Sequence, residues 1–239
     1  MRKKILITGG NKNLGEFLSN YFIDNDYEVI TISKKSKSRN GKVNSYNCDL
    51  SSNIKTLKIL KKIKKKFSKI DFIISCAGES KKTFTYNESL SNWERAFQNN
   101  FFSFTNLVDG YLKTFKNNRN TKIVVISSIA SIKITNAPIT YSVAKSALNF
   151  YSQIKAKHLA KKKINLNIIL PGNIMMKNNN WSKKIKKNPN KIKKYIKKNV
   201  PLNIFCNPIQ IAEMCKYLFG KSGEGITGSI FTIDAGETL

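Results

Sequence analysis

The stretch Ile5-Leu-Ile-Thr-Gly-Gly-Asn-Lys-Asn-Leu-Gly15 decides the fold, because it joins two different hydrophobic patterns through a glycine-containing turn. Residues 5–8 form a short apolar run that is typical of a buried strand. After the turn, apolar side chains recur at the spacing of one helix face, at Leu14, Phe17, Leu18, Tyr21 and Phe22. The sequence therefore predicts a strand, a tight turn and an amphipathic helix.

The same alternation of apolar runs and helical stretches continues along the chain. Further strands are predicted over residues 29–32, 43–46, 70–75, 123–127, 164–170 and 230–233. Together they predict a single α/β domain over residues 1–239, with a Rossmann-type, doubly wound, parallel seven-stranded sheet and helices on both faces. Ligands of such sheets bind at the carboxyl ends of the strands, so we expect the functional residues to follow strands.

The composition is that of a globular protein, with 41% hydrophobic residues in a chain of 239. The apolar run after the basic start ends after three residues, and no stretch is as long as a membrane span. We therefore expect a cytoplasmic protein without a membrane partner. The four cysteines match neither a zinc site nor a redox pair and are interpreted as reduced thiols.

The formal net charge is +29, from 43 Lys plus Arg against 14 Asp plus Glu. Such a charge attracts anions. The lysines are spread through nearly every predicted helix and no nucleic-acid-binding motif is evident, so we expect no specific nucleic-acid partner. The basic clusters at 61–66, 161–163 and 183–198 are interpreted as solvated helix faces, with a docking surface for an acidic carrier protein as the alternative.

Four motifs carry the functional interpretation. In the first, Thr8-Gly-Gly-Asn-Lys-Asn-Leu-Gly15, the glycines let the backbone approach a pyrophosphate, and the next helix offers its positive N-terminus. The others are Ser128, Tyr141-Ser-Val-Ala-Lys145 and Pro171-Gly172. At these separations the motifs resemble the short-chain dehydrogenase/reductase family, and the chain is similar to its 3-oxoacyl-[acyl-carrier-protein] reductases over essentially its whole length.

The resemblance implies a nicotinamide dinucleotide that lies across several strand ends. Asn13 stands where the family has the middle glycine of its opening motif, and Asn is the non-glycine residue that best tolerates a positive φ. The resemblance implies that Asp49 contacts the adenine. It also implies that the backbone near Ile174 contacts the nicotinamide amide. The complete set of implied or charge-matched cofactor contacts is Thr8, Gly9, Lys12, Asn13, Leu14, Gly15, Ser33, Lys34, Asp49, Leu50, Cys76, Ala77, Gly78, Tyr141, Lys145, Pro171, Gly172 and Ile174.

The end of the second predicted strand, Ile32-Ser33-Lys34-Lys35, bears on which dinucleotide is preferred. It has no carboxylate to grip the ribose hydroxyls or to repel a 2′-phosphate. Lys12 and Lys34 are available to pair with that phosphate. NADP(H) is therefore the expected cofactor, with NAD(H) as the alternative.

The reactive centre is predicted from Tyr141 and Lys145, which are four residues apart and so share one face of a helix. An adjacent ammonium favours the phenolate, so we expect the pKa of Tyr141 to fall toward neutral pH, where it exchanges a proton with a carbonyl or alcohol. The resemblance implies that Ser128 orients the carbonyl, that Lys145 also holds the nicotinamide ribose, and that Asn100 anchors a water. Ser127 is the alternative to Ser128, but the spacing to Tyr141 favours Ser128.

These residues predict NADP(H)-dependent hydride transfer between nicotinamide and a carbonyl or secondary alcohol, with Tyr141 as general acid and base and with no metal. The expected substrate is a small-molecule or carrier-bound carbonyl, such as a 3-oxoacyl thioester or a sugar, under a helical flap at 173–199. A merely solvated insertion is the alternative for that segment. A non-catalytic NADP-binding regulator is the alternative function. The resemblance of the last strand implies a homotetramer or homodimer.

Overall fold

The computed structural model of the chain describes residues 2–35, 43–80, 87–116, 118–176 and 180–239. Within these ranges, seven strands form one sheet in the order β3-β2-β1-β4-β5-β6-β7, and every neighbouring pair is parallel. The predicted doubly wound sheet is confirmed. The strands are β1 Lys4–Thr8, β2 Glu28–Ser33, β3 Asn44–Asn47, β4 Phe72–Ser75, β5 Lys122–Ile126, β6 Asn165–Pro171 and β7 Ile230–Ile233.

The helices connect these strands, and their ends follow ordinary capping chemistry. The Ser52 hydroxyl accepts a hydrogen bond from the Lys55 amide at the start of α2, and Asn207 forms a capping box before α8. A π-helical turn, Gln98–Phe102, joins α3 to α4. The helices are α1 Asn13–Asp24, α2 Asn53–Lys66, α3 Leu90–Phe97, α4 Ser103–Thr114, α5 Ile139–Ala160, α6 Asn180–Lys187, α7 Pro189–Asn199 and α8 Pro208–Phe219.

Both faces of the sheet are buried, as the near-continuous apolar strands require. Leu6 of β1 points into a core shared with α2, α4 and α5, whereas its neighbours Ile5 and Ile7 point into a second core against α1 and α8. The sheet thereby fixes the position of every strand end at which a loop emerges.

The strand order reverses at β1, which pairs with β2 on one side and with β4 on the other. Chain connections leave β1 and β4 in opposite directions, so a crevice opens beyond their carboxyl ends. Thr8 at the end of β1 lies between Ile32 of β2 and Ser75 of β4. The glycine turn after Thr8 therefore faces this crevice.

The segment predicted as a flap, 173–199, contains α6 and α7, and its residues 177–179 lie outside the described residues. That this segment covers a substrate stays a prediction. Among the residues that the structure describes, no helix is both long and apolar enough to span a membrane.

Candidate active site

The turn after β1 is built for close backbone approach. Gly9 has φ +68° and donates its amide to the Ile32 carbonyl at 2.8 Å. A Cβ on Gly15 would stand 2.3 Å from the Gly9 carbonyl oxygen, so this position has room only for glycine. Asn13 has φ +46°, a left-handed conformation that Asn tolerates better than most residues. The turn thus keeps its shape with Asn13 in the place of the family's middle glycine.

Helix α1 begins at this turn with its first amides uncapped by a side chain. Lys12 occupies the cap position in an extended conformation, and its side chain makes no capping hydrogen bond. The amides at the start of α1 therefore retain donor capacity, and the helix dipole adds positive potential there. This is the local structure that binds a pyrophosphate.

A cavity of about 510 Å³ extends from this turn across the ends of β2, β3 and β4. Thr8 lies beneath it and supports the opposite wall, because its hydroxyl oxygen accepts hydrogen bonds from the amides of Cys76 and Ala77 at 3.2 and 3.1 Å. The cavity is lined by many of the predicted cofactor contacts: Gly9, Lys12, Asn13, Leu14, Gly15, Ser33, Lys34, Asp49, Leu50, Cys76, Ala77 and Gly78.

Within the part of the chain that the structure describes, two polar atoms of cavity-lining residues have no protein partner. The buried Asn11 donates its amide nitrogen to the Lys35 carbonyl at 3.0 Å, but its Oδ1 accepts nothing, and the Ser33 hydroxyl is likewise unpaired. A buried polar atom without a partner costs about 1–3 kcal/mol. Together with the glycine turn, these atoms show that the cavity fits the hydroxyls and phosphates of a dinucleotide.

A polar chain crosses the adenosine side of the cavity and includes residues that the sequence did not single out. The Lys34 ammonium lies 3.0 Å from Asp49 Oδ2 and donates to Asn99 Oδ1 at 2.9 Å, and Asn99 in turn donates to Glu79 Oε2 at 2.8 Å. Burial acts to raise the pKa of Asp49, but hydrogen bonds from the Ser51 amide and from Lys34 lower it below its ordinary value. Asp49 thus already shares the charge of Lys34, and a contact between Lys34 and a 2′-phosphate stays a prediction.

Asn100 is held in the π-helical turn between α3 and α4, a kind of helix irregularity that is frequent at functional sites. Its side chain is buried, donates to the carbonyls of Ala96 and Glu79 at 2.9 Å, and accepts from the Glu79 amide at 3.0 Å. A Cβ on Gly78 would stand 2.9 Å from Asn100 Oδ1 and 3.4 Å from Lys145 Nζ. Asn100 and Lys145 therefore meet at the cavity wall.

Lys145 is 3% exposed, and its ammonium donates to the Ile126 carbonyl at 3.0 Å. Burial lowers the pKa of Lys145 to about 8. The same ammonium lies 5.8 Å from the centre of the Tyr141 ring, one helical turn away on α5. The nearby Cys76 stays a neutral thiol, because burial raises its pKa to about 12.

Tyr141 lies against Ser128 rather than Ser127. The Ser128 hydroxyl forms a hydrogen bond with the phenol and also accepts one from the Ala130 amide at 3.2 Å. Ser127 is buried and its amide donates to Ile169 in β6, but its hydroxyl has no partner among the described residues. The spacing argument thus selected the serine that contacts Tyr141.

The sequence expectation for the acidity of Tyr141 is wrong in direction. Burial raises the pKa of Tyr141, and the Ser128 hydrogen bond opposes this only in part. Lys145 does not lower it, because with a pKa of about 8 its ammonium has lost its proton before the phenol begins to ionise. Tyr141 is accordingly a neutral phenol at neutral pH.

The end of β6 lies beside these residues in the sheet but outside the lining of the cavity. Gly172 packs so closely on the end of β7 that a Cβ would stand 2.8 Å from the Asp234 Cα. Pro171 ends β6, and Ile174 forms an isolated parallel bridge with Cys206. These predicted nicotinamide contacts are therefore held by backbone pairing with two later segments.

Some cavity-lining residues were missed by the sequence reasoning, notably Asn11, Glu79 and Ser103. The signal for Glu79 was its position directly after Gly78, the last of the predicted cofactor contacts that follow β4. A parallel sheet whose crevice holds a glycine turn, next to a Ser128–Tyr141–Lys145 cluster, defines a dinucleotide-binding oxidoreductase.

Comparison with known proteins supports this class of protein. Residues 21–238 match the family model described as enoyl-(acyl carrier protein) reductase. The 3-oxoacyl-[acyl-carrier-protein] reductase FabG of Buchnera aphidicola is 26% identical over 98% of this chain and 97% of its own length. The solved structure of ElxO with NADP bound superposes with a TM-score of 0.90 at 24% identity, covering 100% of this chain and 99% of that one. A Pseudomonas aeruginosa RhlG/NADP active-site complex superposes with a TM-score of 0.88 at 22% identity. The superposition covers 99% of this chain and 96% of that one.

The chain therefore belongs to the short-chain dehydrogenase/reductase family, as its motifs predicted. Membership makes it an oxidoreductase of the CH–OH/C=O couple. The non-catalytic alternative is not favoured by these comparisons.

Proposed function

We propose that this chain is an NADP(H)-dependent carbonyl reductase in which Tyr141 gives a proton to the carbonyl oxygen. One observation carries the proposal: the Lys145 ammonium lies beside Gly78 at the wall of the dinucleotide cavity, and next to this ammonium Tyr141 contacts Ser128. Bound NADPH supplies the hydride for the carbonyl carbon. The chain must then supply a proton and steady the oxygen that receives it.

Tyr141 carries that proton at neutral pH, and because burial raises its pKa, the phenolate must be stabilised for the proton to be given up. The Ser128 hydroxyl, already hydrogen-bonded to the phenol, steadies the negative charge that develops on the carbonyl oxygen. Lys145 stabilises the phenolate left behind, and Asn100 holds the Gly78–Glu79 turn against which Lys145 packs.

The preference for NADP(H) is supported by Lys12, which is exposed at the turn and lines the cavity, and by the absence of a carboxylate from the Ser33-Lys34-Lys35 end of β2. The solved relatives that hold NADP point the same way. Since Lys34 is paired with Asp49, we assign the larger share of the 2′-phosphate contact to Lys12.

The cofactor proposal is tested by titrating the protein with NADPH and with NADH. We expect Lys12→Ala to weaken NADPH binding about tenfold, the usual loss of one charge-assisted contact, and to leave NADH binding unchanged. Lys58→Ala, which removes an exposed lysine from α2, is the matched control. Equal losses for both dinucleotides would contradict the assignment.

A 3-oxoacyl thioester on an acidic carrier is the substrate class that we propose. It is supported by relatives named for that reaction and by the two helices after β6, where 180–199 contains lysines but no acidic residue. The distinguishing assay offers NADPH with acetoacetyl and crotonoyl thioesters. Turnover of acetoacetyl thioester is expected, whereas turnover of crotonoyl thioester alone would show that a C=C bond is reduced instead.

In this assay, Tyr141→Phe is expected to lower turnover by about 10²–10⁴-fold, the usual contribution of a general acid. Tyr217→Phe, which alters an exposed tyrosine on α8, is expected to behave as wild type. Undiminished turnover by Tyr141→Phe would refute the proton-donor role.

Self-association is proposed from an apolar stripe on α5. Val143, Phe150 and Ile154 recur along one helix face and are 41%, 68% and 49% exposed. A self-complementary face of this kind fits the two-fold interface of a homodimer, from which a tetramer can grow. Sedimentation should show Phe150→Glu shifted toward monomer, whereas Ile54→Glu, at an exposed position on α2, should not change the oligomeric state.

A further inference from the structure

We infer that Glu237 is a positioning residue that holds together the segments around the nicotinamide side of the site. It lies after β7 and is 6% exposed, and the sequence reasoning gave it no role. Its carboxylate contacts two active-site segments, and its backbone carbonyl contacts a third. The inference rests on the proposed use of a nicotinamide dinucleotide.

The first segment is the turn after β6. The Asn173 side chain donates to Glu237 Oε1 at 2.7 Å, and the Asn173 amide donates to Oε2 at 3.4 Å. Both carboxylate oxygens are thus engaged by one residue, which lies between Gly172 and Ile174. A Cβ on Gly172 would stand 3.2 Å from Glu237 Oε2, so the turn also packs directly on the carboxylate.

The second segment is helix α7 of the predicted flap. The Tyr195 hydroxyl donates to Glu237 Oε1 at 2.9 Å and accepts from the Asn173 side chain at 3.1 Å. Burial, followed by the Glu237 carboxylate, raises the pKa of Tyr195 to about 12, so the phenol remains a donor. The Tyr195 ring is 5.2 Å from Trp181 of α6 and 6.5 Å from Phe205. Glu237 thereby ties both flap helices to the β6 turn.

The third segment is the loop that follows Ser128. The Lys133 ammonium donates to the Glu237 backbone carbonyl. Lys133 follows the short helical turn Ile129–Ser131, which begins directly after Ser128. One residue therefore links the loop of the carbonyl-orienting serine, the proposed nicotinamide turn and the flap.

This arrangement predicts an effect restricted to one half of the cofactor. The turn that Glu237 holds lies at the end of β6, whereas the glycine turn and Lys12 lie at the end of β1, three strands away in the sheet. Loosening the Glu237 cluster should therefore weaken contacts with nicotinamide and leave contacts with adenosine and its phosphates intact. A merely stabilising residue would show no such selectivity.

The test compares binding of NADPH with binding of adenosine 2′,5′-bisphosphate, which has the phosphate-bearing adenosine half and no nicotinamide. Calorimetric titrations of Glu237→Ala and Tyr195→Phe are expected to show NADPH affinity reduced about tenfold and about threefold, with bisphosphate affinity unchanged. Tyr195→Phe keeps the ring in the aromatic cluster, so it tests the inference even where Glu237→Ala does not fold.

The chain offers a matched control, because Tyr21 also donates to a glutamate, Glu213, at 2.5 Å between α1 and α8. Tyr21→Phe removes an equivalent hydrogen bond and should leave both affinities at the wild-type value. Wild-type NADPH affinity in Tyr195→Phe and Glu237→Ala would overturn the inference alone, as would equal losses for both ligands. A wild-type protein that binds neither ligand would overturn the proposed function and this inference together.

Discussion

Replacing Lys145 by methionine is expected to stabilise the protein while it removes the proposed activity. At about 1.4 kcal/mol per pKa unit, the lowering of the Lys145 pKa from 10.5 to about 8 means that the charged ammonium costs the folded state about 3 kcal/mol. Methionine has a similar length and carries no charge. The substitution also removes the hydrogen bond from Lys145 to the Ile126 carbonyl, which is worth about 1 kcal/mol. The net gain in the free energy of unfolding is about 2 kcal/mol.

The pH dependence of this gain follows from the direction of the shift. Below pH 8 the ammonium is charged in both the folded and the unfolded chain, so the cost is fully present. Between about 8 and 10.5 the unfolded chain binds more protons than the folded chain, and the stability of the wild type therefore rises with pH. The advantage of Lys145→Met should accordingly shrink over this range and reverse before pH 10.5, where only the lost hydrogen bond to the Ile126 carbonyl remains.

Urea denaturation of both proteins at pH 7 and at pH 9.5 measures this difference directly. At pH 7 the melting temperature of Lys145→Met should also lie about 4–8 °C higher, at about 2–4 °C per kcal/mol for a domain of this size. A Lys145→Met protein that is less stable than wild type at pH 7, or a gain that does not change with pH, would refute the reasoning.

Four further outcomes are expected. Lys122→Met, which removes hydrogen bonds of 3.1 and 2.6 Å to the last carbonyls of α8, should destabilise the fold by about 1–2 kcal/mol in the same urea experiment, opposite in sign to Lys145→Met. Asn13→Ala should lower the free energy of unfolding by about 1 kcal/mol because its φ is +46°, whereas Asn13→Gly should not; equal losses would argue against strain at this position. Gly15→Ala drives a Cβ onto the Gly9 carbonyl and should abolish measurable NADPH binding in a protein that still folds by circular dichroism, so retained affinity would disprove the proposed cradle. NADPH affinity should fall as pH rises through about 8, where Lys145 loses its proton, and a flat pH profile in wild-type titrations would remove Lys145 from the binding site.

The fold was predictable because each strand can be recognised from its own short stretch of sequence. Residues 5–8 and 230–233 are short apolar runs, and the helical spacing after Gly15 fixes the first crossover. A parallel sheet then follows from alternation alone, since parallel strands need crossover connections. Strand ends shifted by at most two residues, because the last ladder hydrogen bonds depend on neighbouring strands rather than on the strand's own sequence.

The site was predictable only where chemistry follows fixed spacing. The spacing of Ser128, Tyr141 and Lys145 identified side chains that the structure brings together. The pairing of Lys34 with Asp49, and the contacts of Glu237, join residues far apart in the chain, and a single sequence contains no signal for such pairs. The direction of the Tyr141 shift also could not be read from spacing, because it depends on burial.

The failed expectation for Tyr141 clarifies what Lys145 does. In an equilibrium titration the phenol ionises only above pH 10, where Lys145, with a pKa of about 8, is already neutral and gives no help. At neutral pH the ammonium is charged, and it lies 5.8 Å from the centre of the Tyr141 ring, where its charge favours a phenolate. Proton donation by Tyr141 at that pH turns an isolated buried cation into an ion pair. We therefore propose that Lys145 assists the reduction during turnover without lowering the pKa that a titration would measure.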